Sequence, residues 1–340
     1  MFSKKAIAYL VLLCCLLVVI AYPRFNRQDM GALKSHTSTE HSNADVAGKM
    51  SDAGKYASMV SYFRGEADLS ELLVPWTYRP VVPYLASWLP FEPQTSVNIL
   101  NEACLMAALF LAYAFMVILG VGFGARLLAC ALFVVSFPTF YYGAIGYIDP
   151  VLVLFIAVAL HLIVRQQWIA FAVLTILASG IKESAGLVLL PAAAFLYARG
   201  ELFRKKFILL GILTIVGYVI AYKLFQNWLL GSQDYTGWNI SWEYVLRNFG
   251  RVRSWASILL VFGPVGILAL FAWKAAPDST RRKRAEMAAL YGGLLAGILL
   301  SVYAMIGSLA DGRSTWTMYP FAIPLAGITI QAWLTRRARA

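Results

Sequence analysis

The sequence is short of charge. Only 14% of its 340 residues are Asp, Glu, Lys or Arg, whereas 60% are hydrophobic and the mean hydropathy is +0.69. Soluble globular chains carry about 25% charged residues, so about half of the usual polar surface is absent. This deficit excludes an ordinary soluble protein and predicts an integral membrane protein, in which each spanning helix takes about 20 residues.

Cysteine and histidine are also scarce. The four cysteines all fall inside apolar runs, and the three histidines have no partner at metal-ligand spacing. Neither a disulfide framework nor a histidine or cysteine metal site is therefore expected. The chain also lacks a P-loop, a dinucleotide-binding fingerprint, a serine nucleophile elbow and a zincin motif.

Ten apolar runs are candidates for membrane-spanning helices. The first, Ala6 to Tyr22, follows Lys4 and Lys5 and is not followed by a cleavage site, so it is predicted to be an uncleaved anchor. The other nine lie at 98–119, 126–143, 149–164, 167–181, 184–198, 207–225, 254–274, 287–309 and 317–334. We therefore expect an all-α, polytopic membrane protein with about ten transmembrane helices.

The surplus of basic residues predicts the topology. The net charge is +12, and an N-terminus in the cytoplasm places 16 Lys and Arg with three acids inside, against 13 and 14 outside. Cytoplasmic loops are enriched in Lys and Arg, so both termini are predicted to lie in the cytoplasm. The expected location is a bacterial inner (plasma) membrane. The topology accounts for the positive net charge, which therefore gives no indication of nucleic acid binding.

This topology divides the chain into five parts. They are an N-terminal anchor (1–22), an outer periplasmic loop (23–97), transmembrane helices 2–7 (98–225), an outer aromatic loop (226–253), and transmembrane helices 8–10 with a basic cytoplasmic tail (254–340). In the first outer loop, helical spacing of apolar residues predicts a short interfacial helix over 51–64, with Ser51 as its N-cap. A second interfacial helix is expected over 85–89.

Two aspartates on the outer side are candidate catalytic bases. Asp52 begins the predicted surface helix, and Asp149 precedes Pro150 at the outer end of a span. Ionisable residues at the membrane boundary are costly to place there, so they are functional candidates by default. Helix capping is the alternative explanation for both aspartates.

Basic residues on the same side are candidate phosphate ligands. Arg79 lies in the rigid segment Tyr-Arg-Pro-Val-Val-Pro, from which a guanidinium can bind phosphate through two hydrogen bonds. Lys182 and Glu183 occupy a tight outer turn flanked by small residues, and Arg313 follows Asp311 in another outer turn. Snorkelling to lipid headgroups is the alternative for Arg79, and a solvated turn is the alternative for the others.

Three stretches together resemble one family. They are Asp52-Ala-Gly-Lys-Tyr56, the Tyr-Arg-Pro-x-x-Pro segment, and the turn that runs from Leu177-Ala-Ser-Gly-Ile-Lys-Glu to Leu-Leu-Pro191. The chain resembles, over residues 1–200, the polytopic GT-C-type glycosyltransferases that use polyprenyl-phosphate-linked sugars, including bacterial mannosyltransferase-like members. The resemblance implies a catalytic acid at Asp52, donor-phosphate binding by Lys182 and Arg79, and a lipid-facing groove between spans.

The expected activity is transfer of a sugar from a polyprenyl-phosphate donor to an acceptor hydroxyl on the outer face. This reaction needs a carboxylate that takes the hydroxyl proton and fixed positive charge that stabilises the departing phosphate. The candidates are Asp52 or Asp149 as base, Arg79, Lys182 or Arg313 as phosphate ligands, and Glu183, Tyr56 and Tyr78 as further substrate-binding residues. The leaving group is already activated, so no cofactor is required, and a divalent cation stays an open alternative.

Other classes of function are compatible with the same sequence. A flippase or transporter of lipid-linked or small solutes would need polar residues at mid-membrane, but the span interiors carry few charges beyond Glu102, near an outer end. A polymerase or ligase of surface polysaccharide would give a distribution of chain lengths. The expected partners are membrane lipid and a polyprenyl-phosphate-linked sugar, and a non-catalytic assembly role is a further alternative.

Overall fold

Helices make up the architecture. The structure is a computed structural model that describes residues 3–25, 52–229, 241–275, 281–307 and 312–338. Within these ranges the chain contains no β-strand, and its long helices are apolar, which confirms the predicted class of helical membrane protein. Ser51 and Asp311, which the sequence singled out, lie outside the described residues.

The described ranges contain fourteen α-helices. The first seven are α1 (Lys4–Ala21), α2 (Asp52–Phe63), α3 (Val81–Ser87), α4 (Pro93–Ile118), α5 (Phe123–Val135), α6 (Phe137–Tyr142) and α7 (Asp149–Val164). The other seven are α8 (Trp168–Leu177), α9 (Leu189–Ala198), α10 (Lys205–Trp228), α11 (Trp242–Gly250), α12 (Val252–Leu270), α13 (Arg281–Ile306) and α14 (Tyr319–Arg337). Short 3₁₀ segments carry the turns at Trp76–Tyr78, Ala178–Gly180, Glu183–Val188 and Gly312–Met318.

Five helical stretches are long and apolar enough to cross a membrane. They are Lys4–Arg24, Pro93–Ile118, Lys205–Trp228, Val252–Lys274 and Lys283–Ile306. Four further apolar helical stretches are shorter, at Phe123–Val135, Asp149–Val164, Trp168–Gly180 and Glu183–Ala198, and the last three lie close to predicted runs. The predicted span 126–143 is divided at Ser136, whose extended backbone ends α5 and precedes α6, with Pro138 in the first turn of α6. The count of ten spans therefore stays a prediction.

The helix predicted over 51–64 is confirmed as α2, and its position at the membrane surface stays a prediction. The helix predicted over 85–89 begins earlier, as α3 at Val81, because Pro83 lies in its first turn, where a missing N–H does no harm. For the same reason α4 begins at Pro93 rather than at residue 98.

The two ends of the bundle differ in chemistry. α7 begins at Asp149 and ends beside Arg165, and α14 follows Arg313 and ends at Arg337. Asp149 lies near Arg313, so both helices begin at the same end of the bundle and run toward basic residues. We call the end at which α7 and α14 begin the site end.

Close packing of α13 holds the core together. Gly292 of α13 faces Ala194 and Pro191 of α9, and Gly297 faces the backbone of Met318. Glycines on one face let neighbouring helices approach closely, and inside a membrane such contacts replace the hydrophobic effect as the source of stability. By contrast, only 6% of the apolar stretch of α10 is buried, so this helix presents most of its surface to lipid.

The surface helix α2 is fixed from two sides. Arg64, just after its end, donates hydrogen bonds to the carbonyl oxygens of Ser87 and Leu89 and to Ser96 Oγ. On its opposite end, Ala53 lies over Gly146, where a Cβ atom would come within 2.8 Å of the Ala53 Cβ. α2 is therefore held against both α3 and the segment that leads into α7.

The glycine packing can be tested with two alanine substitutions in membrane helices. Gly297→Ala places a Cβ 2.5 Å from Met318 Cβ, whereas Gly211→Ala on lipid-facing α10 meets nothing within 4 Å. Overpacking costs about 1–3 kcal/mol, so Gly297→Ala should lower the free energy of unfolding in detergent by that amount. Gly211→Ala should leave it unchanged or raise it, because alanine favours a helix. Equal effects of the two substitutions would contradict this packing.

Candidate active site

Seven polar side chains form a closed arrangement of ion pairs and hydrogen bonds at the site end. In order around it they are Asp52, Arg313, Asp149, Lys182, Glu183, Arg79 and Tyr56, and we call them the ion-pair ring. Five links are non-covalent. The other two follow from the chain itself, because Lys182 and Glu183 are neighbours and Tyr56 lies one helical turn after Asp52 on α2.

Asp149 is the buried centre of one side of the ring. Its side chain is 2% exposed, and Lys182 Nζ donates a hydrogen bond to its Oδ1 at 2.6 Å. Arg313 Nε lies 3.6 Å from the other carboxylate oxygen. Asp149 is also the first residue of α7, where the helix dipole favours a negative charge. Two cations and a helix end together stabilise a carboxylate that has almost no contact with solvent.

Arg313 joins the two aspartates. Besides its contact with Asp149, its Nη2 donates a hydrogen bond to Asp52 Oδ2 at 3.0 Å. The guanidinium carbon also lies 4.1 Å from the centre of the Tyr147 ring, within the range of a cation–π interaction. Arg313 is thus held by three groups, and it fixes the position of α2 relative to the start of α7.

Arg79 and Glu183 form the other side of the ring. Arg79 donates from Nε to Glu183 Oε2 at 2.9 Å and from Nη2 to Oε1 at 2.5 Å, which is the two-point geometry that arginine forms with carboxylates and phosphates. Its third nitrogen, Nη1, donates to the Tyr56 hydroxyl at 3.0 Å. Burial raises the pKa of Tyr56 to about 12, so this phenol is neutral at physiological pH.

A tyrosine from lipid-facing α10 anchors the backbone of the 182–183 turn. The Tyr218 hydroxyl donates a hydrogen bond to the carbonyl of Glu183 at 2.7 Å and accepts one from the N–H of Gly186 at 3.2 Å. The sequence analysis did not identify Tyr218, because nothing local distinguishes it from an aromatic residue in contact with lipid. Its role depends on a contact between two distant segments.

A further cation lies beside the ring. Lys55 of α2 places its ammonium 3.6 Å from the centre of the Trp76 ring. Burial lowers the pKa of Lys55, and the nearby Asp52 carboxylate opposes part of this effect. Lys55 stands in the Asp-Ala-Gly-Lys-Tyr stretch, so its position was visible in the sequence, but its proximity to Trp76 was not.

The ring is electrically balanced and does not suit a divalent cation as it is arranged. Its three carboxylates are matched by three cations. The Arg313 guanidinium already contacts both Asp52 and Asp149, so it occupies the position that a metal ion bound by these two aspartates would take. Across the described ranges, no group of three or more His, Cys, Asp or Glu side chains is placed to hold a metal ion.

All eight residues that the sequence identified lie at the site end, and seven of them form the ring. The eighth, Tyr78, is buried beside Arg79 and is not a ring member. The structure adds a buried carboxylate that the sequence analysis noted only in passing. Glu102 of α4 is 7% exposed, and neither of its carboxylate oxygens has a hydrogen-bond partner among the described residues.

No model of a protein family, no curated protein and no solved structure matches this chain. The function is therefore argued from the geometry and charge of the site.

The buried ion pair can be tested by removing Lys182. Lys182→Met leaves the Asp149 carboxylate with Arg313 alone, and breaking a buried pair from one side costs about 3–5 kcal/mol of unfolding free energy. The double variant Lys182→Met/Asp149→Asn removes the uncompensated charge and should recover at least half of that loss. Unfolding of the purified protein in mixed micelles measures both values.

Lys223 provides the matched control for this experiment. It lies on α10 and bonds only to Gln226 among the described side chains, so Lys223→Met should change stability by less than about 0.5 kcal/mol. If the single and double variants at Lys182 and Asp149 are equally destabilised, Asp149 does not depend on Lys182 for its charge balance.

Proposed function

We propose that this chain is a membrane glycosyltransferase that moves a sugar from a polyprenyl-phosphate donor to an acceptor hydroxyl. The ion-pair ring carries the proposal, because it brings carboxylates and fixed cations together at one end of the bundle. These are the two kinds of group that the reaction needs. A purely structural role for five separate segments would not require their charged residues to meet at one place.

Exposure divides the roles of the two aspartates. Asp52 has a side chain that is 29% exposed, and Arg313 is its ion-pair partner. Asp149 is inaccessible and holds both Lys182 and Arg313. We therefore assign the general base to Asp52 and give Asp149 a positioning role, which separates two residues that the sequence left as equal candidates.

In the proposed reaction the acceptor oxygen attacks the anomeric carbon of the sugar. A new carbon–oxygen bond forms as the bond between the sugar and the phosphate oxygen breaks. The electron pair of that bond stays on the lipid phosphate, where Arg79 and Lys182 stabilise the added negative charge. The proton of the acceptor hydroxyl goes to the Asp52 carboxylate.

The surroundings of the ring suit a lipid-linked donor. Lipid-facing α10 contributes Tyr218 directly beside Glu183, so the ring adjoins the hydrocarbon region. Aromatic side chains group at the C-terminal end of α10, ten residues beyond Tyr218, with Trp228 near Phe63 and Tyr84. Trp and Tyr concentrate at headgroup depth, where the phosphate of a polyprenyl lipid also lies.

The proposal also covers the number of membrane spans and the side of the membrane on which the site end lies. We place the site end on the periplasmic face of a bacterial inner membrane, with ten spans and both termini in the cytoplasm. Its support is the gathering of basic residues at the helix ends remote from the ring, such as Arg165 and Arg337.

The role of Asp52 is tested by sugar transfer from a synthetic polyprenyl-phosphate donor to an acceptor extract. Loss of a general base lowers a rate by about 10²–10⁴-fold, so Asp52→Asn should reduce transfer by at least the lower value. Glu66→Gln removes an exposed carboxylate from the same loop, remote from the ring contacts, and should leave transfer unchanged. Unaltered transfer by folded Asp52→Asn protein would remove Asp52 from the mechanism, and products of many chain lengths would indicate a polymerase instead.

A transporter of small or lipid-linked solutes is the second candidate, and Glu102 is the observation that favours it. An isolated carboxyl group inside a membrane helix commonly marks a path for ions or protons. Reconstituted wild-type protein and the Glu102→Gln variant should be compared in both assays. A glycosyltransferase should keep transfer within about threefold in Glu102→Gln, a change of under 1 kcal/mol. Solute uptake by the wild type that this substitution abolishes would favour the transporter.

A further inference from the structure

We propose that the Nε/Nη2 edge of Arg79 is the phosphate-binding edge of the site, and that Glu183 is an internal competitor which a lipid-linked phosphate displaces. This inference rests on the proposed function for the origin of the phosphate. It assigns to Glu183 a role opposite to that of an ordinary binding residue, because its carboxylate opposes binding of the anion.

The geometry of the Arg79–Glu183 pair supports the exchange. Both carboxylate oxygens of Glu183 accept hydrogen bonds from one edge of the guanidinium. A phosphate offers two oxygens in a similar arrangement, so the same edge can bind either group. The side chain of Glu183 is 46% exposed whereas that of Arg79 is 16% exposed, so the carboxylate is the partner with room to leave.

The exchange needs only a side-chain rotation. The backbone around Glu183 is held by hydrogen bonds of the Tyr218 hydroxyl, which involve the carbonyls of Lys182 and Glu183 and the Gly186 N–H but not the carboxylate. Arg79 is held separately by its Nη1 bond to Tyr56. The guanidinium therefore keeps its position when its other edge changes partner.

The remaining cations of the ring are less able to accept a new anion first. Release of Lys182 or Arg313 from Asp149 would leave a carboxylate that is 2% exposed with fewer counter-charges, which is costly. Release of Glu183 frees a carboxylate that is already 46% exposed, which costs less than stripping a buried one. An incoming phosphate therefore displaces Glu183 from Arg79 more easily than it displaces Asp149 from Lys182 or Arg313.

Charge also favours the exchange of these two groups. A carboxylate carries one negative charge and a lipid phosphate carries between about one and two, so replacement of Glu183 by such a phosphate keeps the cations of the ring fully compensated. Lipid-facing α10 lies directly beside Glu183, so the phosphate of a membrane lipid reaches this edge without crossing the protein.

The experiment measures binding and does not depend on catalysis. Wild-type protein and Glu183→Gln, purified in detergent, are titrated with undecaprenyl phosphate. Glutamine keeps the shape of the side chain but replaces a charge-assisted contact with a weaker neutral one, so the Kd should fall by about tenfold. An unchanged or higher Kd in a Glu183→Gln protein with wild-type thermal stability would overturn the inference.

Glu201 gives the matched control. It also pairs with arginines, Arg199 and Arg204, but lies past the far end of α9. Glu201→Gln should leave the Kd for undecaprenyl phosphate unchanged, and an equal gain there would show a general effect of net charge, which overturns the inference. Arg79→Lys should weaken binding whether residue 183 is Glu or Gln, because lysine lacks the two-point edge.

Two further comparisons distinguish a lipid phosphate from free phosphate, and the role of Glu183 from the glycosyltransferase proposal. Inorganic phosphate should bind both proteins far more weakly than undecaprenyl phosphate does, since a free phosphate lacks the lipid anchor, and equal affinity for the two ligands would overturn the assignment to a lipid. If Glu183→Gln binds undecaprenyl phosphate more tightly but no donor supports sugar transfer, the glycosyltransferase proposal fails while the Arg79 edge stands. If transfer occurs and the Kd does not change, only the competitor role fails.

Discussion

The site depends on one constraint, the burial of the Asp149 carboxylate. An ionised carboxylate removed from water in a membrane protein is costly unless counter-charges and hydrogen bonds lie close by. Lys182 and Arg313 meet that need from two other segments, and each then determines the position of further groups. Arg313 orients Asp52, and the turn that carries Lys182 also carries Glu183, which orients Arg79. The arrangement of the ring thus follows from the need of Asp149, its least accessible residue, for counter-charges.

Local patterns in the sequence are sufficient for the helical class, and they single out the seven residues that the structure brings together in the ion-pair ring. Low charge density predicts membrane helices, and helical spacing after Asp52 predicts α2, which the structure confirms. The candidate residues were found because charged side chains are rare in this chain and cluster near proline and glycine turns. Their meeting at one place was not predictable, since it depends on how α2, α7 and the segment before α14 pack.

The sequence is less informative about helix lengths and about the residues that contact the site without belonging to the ring. The apolar run 126–143 looks continuous at Ser136, yet backbone geometry divides it there, so hydropathy alone does not give the helix ends. Tyr218 and Trp76 were missed for a different reason. An aromatic residue at a membrane interface has the same local pattern whether it contacts lipid or holds a functional turn, and only the tertiary contact separates the two cases.

The bond between Asp52 and Arg313 joins residues that are 261 positions apart in the chain. During synthesis, α2 reaches the membrane surface long before the segment that carries Arg313 has been made. Until then Asp52 lacks its arginine and Asp149 has only Lys182. The site is therefore completed at a late stage of membrane insertion, and a nascent chain stalled before α14 would hold most of the bundle without a complete ring. Contacts of this sequence separation also make folding slow, because the ends of a long loop must first be brought together.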